Sequence, residues 1–241
     1  MGTVSLKLRD WGRELLRSVL GLHVYWTPPH GLDDLADIKR LGAPVHTVFD
    51  VGANTGQSAL RFHRAFPDAV IHSFEPVSET FRALCQGTSL AARVRPHCLA
   101  LASAPGTGRI FIDARSAKST MNTAVATSLT EDVPVDTVDH MISELAIPVL
   151  DLLKIDVEGL EIEVLRGGDG LLRDQRIRFI LAEVSFDAVD RRHTLFDRLH
   201  AHLRPFGFHL VGIYNQVPYW DGKPWLHYAD ALWCLQPVAG R

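Results

Sequence analysis

From residue 44 onward short apolar segments alternate with segments of helical period, and this alternation limits the folds open to the chain more than any other feature. Residues 45–51 (VHTVFDV) read as a buried strand. Residues 57–66 place Ala59, Phe62 and Phe66 on one helical face. Segments 70–74, 94–99, 152–155 and 179–184 repeat the strand pattern, and 79–86, 160–165 and 194–203 repeat the helical one, with Gly167 and Gly168 stopping the second of these helices. Apolar strands separated by helices require a mainly parallel sheet covered on both faces, an α/β architecture. Segments 209–214 and 231–235 follow with only a loop between them, which predicts an antiparallel pair at one edge. Residues 109–113 read as a further strand or hairpin arm, and 116–129, rich in Ala, Ser and Thr, as a candidate mobile loop.

The 241 residues, 46% hydrophobic and 22% charged, suffice for one domain with a large core and a small appendage. The division drawn from the pattern is an N-terminal helical extension over 1–40 and a domain over 41–241. Twenty-five Lys and Arg stand against 28 Asp and Glu, a net charge of −3. No basic stripe interleaved with aromatics is present, so nucleic acid is not the expected partner. Cys85, Cys98 and Cys234 are far apart in the chain and form no CxxC. That pattern argues against a disulfide framework or a thiolate zinc site and suits a reducing compartment. Residues 3–20 form an amphipathic pattern with Leu8, Trp11, Leu15 and Val19 on one face. Such a helix packs on the domain, makes a homodimer contact or lies on a membrane surface; Asp10 and Glu14 dilute its positive charge. No uncharged stretch is long enough to span a bilayer, and no cleavable leader pattern stands at the start, so a soluble, cytoplasmic protein is expected.

The segment Val48-Phe49-Asp50-Val51-Gly52-Ala53-Asn54-Thr55-Gly56-Gln57 carries the first chemical signal. A buried strand ends in a glycine turn that opens a helix. Open α/β sheets bind ligands at such carboxyl ends. Glu75, nineteen residues after Gly56, ends the second strand, where an acid can accept hydrogen bonds from a ribose diol. The spacing is GxxxG, not GxGxxG, and no GxxxxGK[ST] is present, so neither a pyrophosphate cradle nor a P-loop is complete. Asp50 before the turn would repel a phosphate. It suits a ligand that carries an ammonium and a sulfonium, such as S-adenosylmethionine.

A second signal is the run from Asp151 to Glu161 (DLLKIDVEGLE). Asp156 and Glu158 leave a buried strand, and Glu183 lies near the end of the next one. In a parallel sheet these ends converge over one crevice. Acids there can orient hydroxyls, act as a base or hold a hard cation, so a divalent metal stays open. Glu158 and Glu161 also suit the first turn of a helix, where the dipole favours acids. Lys154, inside an apolar strand, reads as an ion-pair partner.

With these residues in hand, DVGANTGQ, FEP and DLLKIDVEGLEIEVLRGG together resemble the FkbM-type S-adenosylmethionine-dependent methyltransferases over roughly residues 45–236. The resemblance implies a class I methyltransferase fold, Rossmann-like, with a doubly wound seven-stranded sheet of order 3-2-1-4-5-7-6 whose last strand is antiparallel. It implies methyl transfer to a hydroxyl oxygen, often on a sugar or another natural product. By position, Asp50, Gly52, Ala53, Asn54 and Gly56 would cradle the methionine part, with Asp156 beside them. Glu75 and Pro76 would meet the ribose, and Leu99 and Ala100 the adenine. Ser119, in the segment Ser119-Thr120-Met121-Asn122, would belong to a Ser-rich loop near the cofactor. Asp156, Glu183 and Glu158 are the candidate catalytic acids, with Asp156 or a nearby histidine taking the proton.

The expected acceptor is a small molecule or glycan. Residues 214–228 (YNQVPYWDGKPWLHY) hold three Tyr and two Trp, which either stack on a sugar ring or pack a hairpin onto the domain. His227 within them is a rim residue or an ordinary surface histidine. Two other readings compete: a nicotinamide-dependent oxidoreductase on a related sheet, and a binding protein that keeps the crevice without turnover.

Overall fold

The computed structural model describes residues 18, 19, 25, 28–112, 119–120, 129–219 and 225–235. Eleven strands are named in chain order: β1 Thr47–Val51, β2 Val70–Phe74, β3 Val94–His97, β4 Ala100–Leu101, β5 Gly106–Ile112, β6 Ser119–Thr120, β7 Leu129–Asp136, β8 Leu150–Ile155, β9 Ile177–Ser185, β10 Phe208–Pro218 and β11 Leu226–Leu235. The helices are α1 Asp34–Arg40, α2 Gln57–Ala65, α3 Ser78–Gly87, α4 Val138–Glu144, α5 Glu161–Arg166, α6 Asp169–Arg173 and α7 Phe196–Leu203.

Seven strands form the main sheet, in the order β10-β11-β9-β8-β1-β2-β3. Counted among themselves in chain order and read from β3, they run 3-2-1-4-5-7-6, as the family resemblance implies. β1 pairs in parallel with β2 and β8, and β8 with β9. β11 is antiparallel to both β9 and β10. All six residues of β8 are buried, because helices cover both faces.

Alternation along the strands divides the core in two. Phe49, Leu153, Ile155 and Trp233 face α4 to α7, packing on Met141, Leu165, Leu172 and Leu199. Val48, Ile71 and Leu152 face the other way, onto Phe62 of α2 and onto Leu35 and Ile38 of α1.

Two parts of the fold were not expected from sequence. A second sheet, β4-β7-β5-β6, buries only a small cluster of Val77, Ala100, Ile110 and Val133. β5 takes in most of the strand or hairpin arm read at 109–113, but β7, with one shallow apolar face and with Glu131, Asp132 and Pro134, lacks a buried-strand signature. The seven-residue helix α4 is too short to show more than one helical repeat.

The other addition is α1, which falls within the stretch 1–40 and is knitted to the domain. Asp33 caps it, accepting from Ala36 N at 2.8 Å. Asp37, 1% exposed, accepts from Gly31 N and Tyr214 Oη, both at 2.7 Å, and pairs with Arg40. Asp34, also 1% exposed, pairs with Arg61 of α2. The amphipathic segment 3–20 lies outside the described residues except for Ser18 and Val19, which are helical. No helix among the described residues is long and apolar enough to cross a membrane.

Candidate active site at the carboxyl ends of the strands

The glycine turn is fixed by backbone contacts. Gly52 N and Ala53 N both donate to Phe74 O at 3.0 Å, tying the end of β1 to the end of β2. Gly52 has φ +76°, and a Cβ there would stand 1.8 Å from Asp156 O. Only glycine lets the turn pass this close to the exit of β8. Gly56, at φ +97°, caps α2; a Cβ there would meet Thr88 Cγ2 at 2.7 Å. Glu75, 7% exposed, latches the turn from the side. Its Oε2 accepts from Asn54 N and its Oε1 from Val77 N, each at 3.0 Å. Burial raises its pKa, and the two amides act against that shift. Each carboxylate oxygen has a second lone pair, so the latch leaves capacity for an outside hydroxyl.

Asp50 is wholly buried, and the ammonium it meets belongs to Lys154. Lys154 Nζ lies 3.2 Å from Asp50 Oδ1 and 3.4 Å from Asp156 Oδ2, and it donates to Gly52 O at 3.1 Å. Burial raises the pKa of Asp50, and Lys154 opposes the shift. Lys154 is itself held protonated: burial works against its charge, but Asp50 and Asp156 outweigh it. The sequence reading of Lys154 as an ion-pair partner holds. Asp156 is the open member of the trio, its side chain 40% exposed, and its N–H donates to Val51 O at 3.0 Å.

The acids after β8 divide. Glu158, at φ +54° and 7% exposed, precedes α5 and does not lie in its first turn, which Glu161 and Glu163 occupy. Glu161 is wholly buried. Its Oε1 accepts from Gly159 N at 3.1 Å and Val157 N at 3.3 Å; its Oε2 accepts from Thr194 N at 3.2 Å and from the Thr194 hydroxyl. It is a structural tie between the β8 exit and the loop after β9.

Glu183 lies across the register from Asp230 of β11. Its Oε2 is 2.9 Å from His193 Nε2, and His193 Nδ1 is 2.7 Å from Asp190 Oδ2. Burial disfavours the charged ring, yet Glu183 and Asp190 raise the pKa of His193 to about 9. Asp230 accepts from Asn215 Nδ2 at 2.6 Å. Burial, with the charges of Glu183 and Asp156 nearby, raises its pKa to about 6 against the hydrogen bond from Asn215. His193, Asp190 and Asp230 were not singled out as site residues from sequence. They follow no local motif and meet Glu183 only through the pairing of β9 with β11 and the loop between β9 and α7.

The remaining candidates are placed as follows. Pro76 is half-buried and its carbonyl accepts from Cys98 Sγ at 3.8 Å. Leu99 packs on the main core, and Ala100, 6% exposed, turns into the cluster with Val77 and Ile110. Ser119 pairs with Ile112 along the backbone; its side chain and most of 116–129 lie outside the described residues. Among the described residues, the set of His and acidic groups whose ligand atoms lie within 4.8 Å of one another is Asp136, His140 and Glu144, away from Asp156, Glu158 and Glu183.

The aromatic segment forms the end of the β10–β11 hairpin, with 220–224 outside the described residues. Tyr214 does not serve a ligand; it is 2% exposed and bonded to Asp37. Tyr219 stacks on His227 at 4.1 Å and Tyr228 on His193 at 4.8 Å.

The methyltransferase FkbM domain matches residues 50–210, well over half of the chain and the whole stretch from Asp50 to His193. No curated protein matches by sequence. Among solved structures, Mycoplasma capricolum TrmK with S-adenosyl-homocysteine aligns at TM-score 0.49 and 8% identity, over 86% of this chain and 70% of that one. Aeropyrum pernix fibrillarin with natively bound S-adenosyl-L-methionine aligns at 0.47 and 14%, over 83% and 73%. The precorrin-6y C5,15-methyltransferase of Geobacter metallireducens aligns at 0.46 and 10%, over 82% and 84%. By its domain match the chain belongs to the FkbM family of S-adenosylmethionine-dependent methyltransferases.

Proposed function

We propose that the protein moves a methyl group from S-adenosylmethionine to a hydroxyl oxygen of a small molecule or glycan. The observation that carries this reading is the shared end of the sheet. The glycine turn, Glu75, Asp156 and Glu183 all stand at the carboxyl ends of neighbouring strands, where open α/β sheets take ligands. The residues fit the cofactor. Gly52 and Gly56 shape a cradle that a Cβ at either position would disturb. The spare lone pairs of Glu75 suit a ribose diol. Bound there, S-adenosylmethionine supplies a methyl carbon already activated by a sulfonium.

The chain's own residues would then align the acceptor and accept its proton. Asp156 orients the hydroxyl beside the turn, and Glu183 takes the proton. A carboxylate is a weak base for a free alcohol, but the O–H becomes strongly acidic as the new C–O bond forms. Glu158, buried and in a left-handed turn, shapes the floor between them. The incomplete dinucleotide fingerprint and the family match favour this cofactor over a nicotinamide.

Isothermal titration with S-adenosylmethionine, S-adenosylhomocysteine and NADH tests the reading. Binding of the first two and not of NADH is expected. Glu75→Ala removes two amide acceptors and the ribose partner together, so S-adenosylhomocysteine should bind about a hundredfold more weakly, at about 1.4 kcal/mol per tenfold. Glu75→Gln keeps one carbonyl acceptor and should fall between. Unchanged affinity in Glu75→Ala, or binding of NADH alone, overturns the assignment.

A further inference from the structure

His193 is buried between two carboxylates. Its side chain is 4% exposed, with Glu183 Oε2 2.9 Å from Nε2 and Asp190 Oδ2 2.7 Å from Nδ1. A neutral imidazole carries one N–H and can satisfy one acceptor. Carboxylate oxygens this close to both nitrogens favour protonation of both, so the ring sits there as an imidazolium. The surroundings suit that charge. Tyr228 lies parallel to the ring, with centroids 4.8 Å apart and planes 19° apart, where an aromatic face attracts a cation. His227 meets it edge-on at 6.2 Å and places Nε2 3.3 Å from the same Asp190 oxygen. Tyr219 covers His227 and donates its hydroxyl to Asp187 Oδ2 at 2.6 Å.

Glu183 is therefore held at one oxygen only. Its Oε2 is inaccessible to solvent and meets Nε2 as a close ion pair without hydrogen-bond geometry, while its side chain as a whole is 14% exposed, so what solvent reaches is the rest of the carboxylate arm. Across the strand pair from Glu183 stands Asp230, an acid that feels the charges of both Glu183 and Asp156. Without a cation at His193, the Glu183 carboxylate would face Asp230 with its charge uncompensated on that side.

We propose that His193, clamped by Asp190, is a positioning residue for the acceptor: as a fixed imidazolium it pairs with the Glu183 carboxylate and aims it, so that Glu183 can take the acceptor's proton. The proposal rests on the methyl-transfer reading. In that step the acceptor O–H bond breaks and its proton passes to Glu183. The oxygen bonds to the methyl carbon as the carbon–sulfur bond breaks, leaving its electron pair on sulfur. His193 stays charged throughout and touches neither reactant.

The charge state is read by nitrogen-15 spectra of the histidine rings of the full-length protein over pH 5 to 10, with His193→Gln used to identify the signal. Both ring nitrogens should remain protonated through neutral pH and release a proton at about 9. Glu183→Gln and Asp190→Asn should each lower the ring's proton affinity at least tenfold. If Glu183→Gln fails to fold, Glu183→Asp, which draws the carboxylate back, should lower it in the same direction. His193→Gln should bind S-adenosylhomocysteine within threefold of the parent, because the glycine turn lies on other strands. A ring that titrates near 6.5, that ignores Glu183→Gln, or whose replacement abolishes cofactor binding overturns the proposal. Failure of the methyltransferase reading has a separate signature: the parent protein binds no S-adenosylhomocysteine, whatever the ring does.

Discussion

The two ends of the crevice are held by different means. At the glycine turn the groups held are main-chain ones: amides of Gly52, Ala53, Asn54 and Val77, the carbonyls of Gly52 and Phe74, and a close pass beneath Asp156 O, with Glu75 and Lys154 as the two side chains that bind them. Under β9 and β11 they are side chains: Glu183, Asp190, His193, Asn215, Tyr219, His227 and Asp230, joined by ion pairs, hydrogen bonds and ring stacks. A backbone cradle reads a ligand that does not vary. A side-chain lattice can be exchanged residue by residue while the sheet stays as it is.

The comparison can be broken most severely at the turn. Gly52→Ala puts a Cβ into Asp156 O and asks an L-residue to hold a positive φ. The cost should be on the order of 3 kcal/mol or more, a melting point roughly 10 °C lower, with S-adenosylhomocysteine binding lost. Calorimetry of the variant with and without ligand checks both parts. A smaller effect should follow from cutting the tie between the two ends. Glu161→Ala strands the amides of Val157, Gly159 and Thr194 in a buried place, for about 3 kcal/mol or somewhat less, with the turn itself intact. Denaturant unfolding measures the loss, and retained cofactor binding shows that the turn survives.

The smallest effect sharpens the contrast by pH. Asp230 has its pKa raised to about 6, so the fold bears a penalty that grows as pH rises from about 4 and is complete above 6. Asp230→Asn keeps a carbonyl for Asn215 and removes the charge. It should stabilise the protein by roughly 1–2 kcal/mol at pH 8 and by nothing measurable at pH 4. His193 contributes favourably rather than as a penalty, yet it too makes the fold less stable as pH rises, in a higher window. Its contribution is fully present below about 6.5 and is lost as pH rises through about 9. Thermal melts of the parent and Asp230→Asn between pH 4 and 10 should separate the two.

The difference between the ends also explains what the sequence disclosed. Asp50 to Gly56, Glu75 and Asp156 to Glu161 each stand at the end of a mostly apolar strand, so pattern and turn chemistry found them. The order of the seven strands came from the family resemblance and agrees with the structure. His193 and Asp230 had no such signal. Their meeting with Glu183 depends on β11 entering antiparallel beside β9, in a register that places Asp230 opposite Glu183. The second sheet was hidden for another reason: β7 carries Thr130, Glu131 and Asp132 in a row and buries one shallow face. Of the two readings open for the aromatics of 214–228, Tyr214 follows the packing one: β10 turns it inward to Asp37.

The position of β11 bears on how the chain is made. It is the last strand of the sheet in sequence, yet it lies between β9 and β10, so β10 has no partner in the sheet until β11 has left the ribosome. The wait extends to the other end of the molecule. Asp37, buried in α1, finds its hydroxyl partner on Tyr214, 177 residues later. At about 5–20 residues per second, translation takes roughly 9–35 s to cover that distance. For that interval Asp37 is without the hydroxyl of Tyr214, and the sheet lacks the strand that joins β9 to β10. The β10–β11 hairpin is thus the closing stitch of the sheet, and the meeting of Glu183 with Asp230 comes into being only as it is drawn tight.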